Sequence, residues 1–154
     1  MRPPKVFCGI LSLLLWPAWA CHCFALGQVQ YIETTPSKNG FPVCETNSVA
    51  TIWVDANDWP GVVRAANDLG ADINRVTGKS PAISNDPGLT GKNVVIIGAI
   101  GKSELIDRLI REKKIEVSEI TGKWEAFFLQ VVPHPWPGID NALVICGSDK
   151  RGTF

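Results

Sequence analysis

In the stretch from Val94 to Ile110, VVIIGAIGKSELIDRLI, an apolar run gives way to glycines, a Lys-Ser pair and helical spacing. These are the residue types of a phosphate-binding loop. A Walker A loop sets four residues between its first glycine and its Gly-Lys pair, which lets successive backbone N–H groups curl around a phosphate. Here Gly98 and Gly101 enclose only Ala99 and Ile100, so the nest is too small. The plainer reading is a strand-to-helix turn in which glycines permit a tight bend. Between the two stands a third reading, in which Lys102 and the N–H groups behind Ser103 hold a carboxylate at a helix N-terminus.

The other residues capable of chemistry do not assemble a reaction centre. Asp55 and Asp58 in VDANDW have the types of a glycosidase acid and base, but such pairs normally come from separate elements, with carboxyl groups about 5 to 9.5 Å apart across the sugar. Two aspartates ahead of a helix fit a turn and a cap better. His134 lies between prolines, with no serine, cysteine or metal-binding partner in view. Trp53, Trp59, Trp124 and Trp136 can stack on sugar rings or serve as core; Trp136, in a loop, is the one expected at the surface. No zinc-type spacing occurs, and no cofactor or metal is expected.

The elements that must position these residues can be read from periodicity. ATIWVD is a short β-branched and aromatic strand. In the segment that follows, Val62, Ala66, Leu69, Ile73 and Val76 recur at helical spacing and predict one narrow apolar stripe. Asp58 is placed to cap that helix, Pro60 to begin it and Gly78 to end it. Arg64 and Asp68 form an outer pair. NVVIIG has no alternation, as expected for a central strand covered on both faces. Ser103 caps a second helix with Leu105, Ile106, Leu109 and Ile110 inward, and with Glu104–Arg108 and Asp107–Arg111 as exposed pairs. EAFFLQVV and ALVICG are strands joined through PHPWPGIDN, and Asp149 stands as a helix cap after the last. The order β-α-β-α-β-β predicts an α/β fold, a mixed sheet with helices packed on it.

The first 27 residues carry Arg2 and Lys5, then an apolar core from Val6 to Trp16, then small residues, the layout of a secretory signal peptide cleaved after Ala20 or Gly27. The apolar segment is short of the roughly 20 residues of a membrane helix. A secreted, extracellular chain is expected, with no membrane contact after cleavage. Residues 28–41 read as an exposed lead-in and 42–154 as one α/β domain. Removing Arg2 and Lys5 from fifteen basic residues leaves thirteen against fifteen acidic ones, a net −2 that argues against nucleic acid as a partner. Of five cysteines, Cys8 lies in the leader and the later cleavage would remove Cys21 and Cys23. Cys44 and Cys146 remain, either as a disulfide or as two separate thiols.

Four blocks in order, IWVDANDWPGVVRAANDLGADINRVTGKSP, VVIIGAIGKSELIDRLI, GKWEAFFLQVV and ALVICGSDKRGTF, resemble the N-terminal domain of glycoside hydrolase family 115, the xylan α-1,2-glucuronidases. The resemblance runs from about Phe41 to Phe154, with Ala99 and Phe154 as departures. It implies a small α/β accessory domain that precedes a catalytic barrel, so that these residues are a fragment, inactive alone, of an enzyme removing glucuronic acid or its 4-O-methyl ether from xylan with inversion. The catalytic carboxylates of the family have no counterpart here. Glucuronoxylan is then the partner, with Lys102, Ser103 and Arg151 of the SDKRGT block as candidates on the substrate side. A non-catalytic module that binds polysaccharide or another domain is the alternative, and a nucleotide-binding protein the weaker third.

Overall fold

The computed structural model describes residues 32–154 apart from 36, 38, 39 and 89. The signal-peptide expectation, residues 1–27, lies outside the described residues. Residues 34–154 form one unit by their internal contacts.

The architecture is α/β. Five strands make one mixed sheet: β1 (Thr51–Val54), β2 (Ile83–Ser84), β3 (Gly91–Ala99), β4 (Phe127–Pro133) and β5 (Ile139–Gly147), in the spatial order β2-β1-β3-β5-β4. β1 runs parallel to β2 and to β3, and β3 parallel to β5. β4 closes the sheet antiparallel to β5, with Leu129 opposite Ile145 and Val131 opposite Leu143. The central place of β3 follows from its sequence. Every residue from Asn93 to Ala99 is buried, because both faces are covered. The two-residue β2, at the far edge, had no signal in the sequence.

Two helices lie on opposite faces. α1 (Pro60–Thr77) brings Val62, Ala66 and Ile73 to Ile52, Val54, Val95 and Ile97. α2 (Glu104–Arg111) brings Leu105, Ile106 and Leu109 to Trp53, Val94, Ile96, Val144 and Cys146. Alternate residues of β1 and β3 thus feed two separate cores, as a period of two requires. Pro60 begins α1 and Gly78, at φ 71°, ends it in the left-handed conformation as expected.

The apolar stripe of α1 differs from the expected one. Gly70 joins the buried line, Leu69 is half-buried, and Val76 is 84% exposed. An 18-residue helix is about 27 Å long, far longer than the strands β1 and β2 that it overlies, so its last turn overhangs them. Arg64 and Asp68 do pair, 3.6 Å apart and well exposed. On α2 the expected pairs are replaced: Arg108 turns to Glu112 at 2.8 Å, and Asp107 accepts an N–H from Gly101.

Of the two alternatives for the cysteines, the structure has the separate thiols. Cys44 and Cys146 are both free thiols. Cys146 belongs to the core under α2, whereas Val43 and Val49, beside Cys44 in its small bridge, pack on the core under α1.

Candidate functional site

In parallel α/β sheets the loops leaving the carboxyl ends of the strands share one edge, and a crevice opens where successive connections depart to opposite faces. That switch lies here between β1, which leads to α1, and β3, which leads to α2. Two aspartates fill it. Asp55 accepts the N–H of Asn57 and, across the gap, that of Glu104 in the first turn of α2, at 2.9 and 3.1 Å. Asp58 accepts from Trp59 at 2.7 Å and from Ala99 at 2.9 Å. Asp58 therefore does not cap α1, whose first residue follows Trp59 with no side-chain cap. It ties the start of α1 to the end of β3. Burial holds its carboxyl above the usual range, opposed by the two N–H groups.

The glycine-rich turn is closed to anions. From Ala99 to Glu104, six successive backbone N–H groups find protein acceptors: Asp58, Gly147, Asp107, Ala99 twice, and Asp55. No N–H of that run is left to curl around a phosphate, and the carboxylate at the first turn of α2 is the protein's own Asp55. Gly98 is required by a close approach, since a Cβ there would lie 2.3 Å from that of Ser103. Gly101 is required by its φ of 74°.

Beside this plugged crevice, over the ends of β3 and β5, an open cleft of about 440 Å³ remains. Its size falls in the roughly 300–1,000 Å³ range of small-ligand sites. Trp59 and Trp124 form walls, Lys102, Lys150 and Arg151 contribute cations, and Ile100, Gly101, Ser148 and Asp149 complete the lining. Lys102 lies over the Trp59 ring, its ammonium 4.6 Å from the ring centre. Arg151 pairs with Glu125 at 3.0 Å.

Asp149 brings one negative charge to the lining, and its carboxylate is steadied by N–H groups from Glu125, Arg151 and Gly152. Those bonds hold its carboxyl below the usual range, that of Gly152 most of all. Accepting from residues two and three ahead makes a turn, and no helix for Asp149 to cap is formed among the described residues.

Trp124 is 83% exposed and sits on a loop pinned to the turn after β5. Ser148 and Ala126 exchange two hydrogen bonds, at 2.8 and 3.2 Å. Glu125, adjacent to Trp124, has a φ of 52°, which for a side-chain-bearing residue costs about 1–3 kcal/mol and is tolerated because the surrounding bonds determine it.

The sequence candidates separate on this geometry. Lys102 and Arg151 line the cleft. Ser103 lies behind it, fully buried, its hydroxyl accepting from Ile106 as the cap of α2. It is a framework residue and not a contact to ligand. Among the four tryptophans, Trp124 at 83% and Trp59 at 39% are exposed, and Trp136 is not. Trp136 is half-buried, with the cations of Arg108 and Lys114 over its ring at 4.6 and 5.2 Å and its N–H donated to Glu112. Hydrogen bonds from Lys114, Arg108 and Trp136 hold Glu112 down to about 2. Trp53 is core. His134 stands in the hairpin at the opposite edge of the sheet and takes no part. Lys150 carried no separate signal in the sequence.

Among solved structures, the chain is similar to a family GH115 4-O-methyl-alpha-glucuronidase with specificity for decorated arabinogalactans. The identity is 29% and the TM-score 0.53, over 68% of this chain and 12% of that one. No family model matches the chain, and no curated protein matches it at a significant level. The likeness indicates a coarse relationship to a glycoside hydrolase, of whose length this chain spans a small part.

Proposed function

We propose that these residues are the N-terminal accessory domain of a secreted glycoside hydrolase that removes glucuronic acid, or its 4-O-methyl ether, from xylan by inverting hydrolysis. The bond would be broken by carboxylates outside this domain. The observation that carries the reading is the shared fold with a glucuronidase, at 29% identity across 68% of the chain. The cleft agrees with a supporting role. Inversion requires an acid and a base about 6.5–9.5 Å apart with room for water. Asp55, Asp58 and Asp149 instead accept backbone N–H groups and hold loops together.

The test compares the 154-residue chain with the longest polypeptide its reading frame encodes, each incubated with glucuronoxylan and with decorated arabinogalactan. The longer polypeptide should release uronic acid, appearing first as the inverted anomer by NMR, and the 154-residue chain should release none. Uronic acid released by the 154 residues themselves, or none from a longer product carrying a barrel, would overturn the proposal.

A further inference from the structure

The cleft beside the GAIGKS turn brings three cations and an exposed indole to one place. Its charged lining is three cations to one carboxylate, Lys102, Lys150 and Arg151 against Asp149. Among the described residues neither the Lys102 nor the Lys150 ammonium has a hydrogen-bonded acceptor. The carboxylates nearby are occupied: Asp149 by three backbone N–H groups and Glu125 by Arg151. What remains for a ligand is a pair of ammonium groups and a bare indole.

The indole is presented, not merely left over. Trp124 is 83% exposed, yet its loop is fixed by the Ser148–Ala126 pair of bonds and by Asp149 and Arg151 on Glu125, whose backbone is held in a left-handed conformation. Unusual backbone conformations that the surroundings over-determine gather at ligand sites. Trp59 differs, since Lys102 covers its ring, so it aims the cation and leaves stacking to Trp124.

We propose that this cleft binds a saccharide bearing a carboxylate, with Trp124 stacked on the sugar ring and Lys102 and Lys150 receiving the acid group. A ring with apolar C–H faces and hydroxyl acceptors suits an indole that has both an apolar body and an N–H donor. The excess of cations over carboxylates in the lining favours an acidic ring over a neutral one. A nucleotide is disfavoured because the N–H groups from Ala99 to Glu104 are already bonded within the protein. The choice of a uronate as the acid rests on the glycosidase reading above, while the anionic ring rests on the cleft alone.

Calorimetric titration of the purified chain tests this with four ligands: a xylo-oligosaccharide carrying one 4-O-methylglucuronate, the same compound with its carboxyl reduced to the alcohol, neutral xylotetraose, and ATP. The acidic oligosaccharide should bind at least tenfold more tightly than its reduced form or xylotetraose, and more tightly than ATP. Trp124→Ala should abolish binding with the melting temperature unchanged, because the side chain is exposed. Lys102→Met and Lys150→Met should each weaken it about three- to tenfold and lessen its salt dependence. Equal affinity for the acid and alcohol forms, full affinity in Trp124→Ala, preference for ATP, or no binding at all would sink the proposal. Its failure is separable from that of the enzyme reading, since uronic acid release by a longer polypeptide does not require this chain to bind sugar by itself.

Discussion

At the scale of single residues, the most consequential side chain is one that binds nothing from outside. Asp58 is buried, and its two oxygens hold the first residue before α1 and the last residue of β3. In Asp58→Asn one of those oxygens becomes an NH₂ facing another N–H, a loss of about 1–3 kcal/mol. Urea unfolding at neutral pH should show it. Burial raises the Asp58 carboxyl above its ordinary 3.8, so the folded chain takes up the proton more readily than the unfolded one. This group's contribution is therefore largest below pH 3.8 and declines as the pH rises through the folded value, a slope the asparagine variant should lack. The sequence placed Asp58 at a helix start but not across to β3. A partner 41 residues away leaves no local pattern. The same limit explains the exchange of roles between Trp124 and Trp136. Loop membership suggested exposure for Trp136, but two cations from α2 and the turn after it cover its ring, and only the fold brings them there.

At the scale of elements, periodicity was informative wherever an element buries one continuous face. The unbroken NVVIIG run, the two amphipathic helices and the strand pair around PHPWPGIDN all stand where spacing put them. Where no face is buried, nothing could be read: β2 is two residues long, with Ile83 40% exposed. The junction of β3 and α2 depends on contact more than on pattern. Gly98→Ala would drive a methyl group to within 2.3 Å of the Ser103 Cβ, 2.5 Å of its hydroxyl and 2.9 Å of Ile106, and none of these can withdraw without lifting α2 from the sheet. A destabilisation of about 1–3 kcal/mol or more is expected. Thermal and denaturant unfolding would measure it, and a variant within about 0.5 kcal/mol of the parent would show that the junction is looser than this geometry.

At the scale of the whole molecule, the sheet is unevenly covered. α1 shields β1 and β3, while on the same face Phe127, Leu129 and Val131 of the edge strand β4 are 57%, 51% and 39% exposed. An apolar row on an unpaired edge promotes association. Leu129→Lys should lower self-association in sedimentation velocity at high protein concentration and change folding stability by less than about 0.5 kcal/mol. Parent and variant sedimenting alike would mean the row is inert in solution. The opposite face holds a sulfur atom of another use. Burial pushes the Cys146 thiol up to about 12, whereas Cys44 is only half-covered. In a chain beginning at Gln28, which keeps Cys44 and Cys146 of the five cysteines, a maleimide at neutral pH would mark Cys44 promptly and reach Cys146 only when the sheet opens, so the gain of a second adduct in a mass spectrum times global opening under native conditions, with no denaturant and no reporter added to the chain.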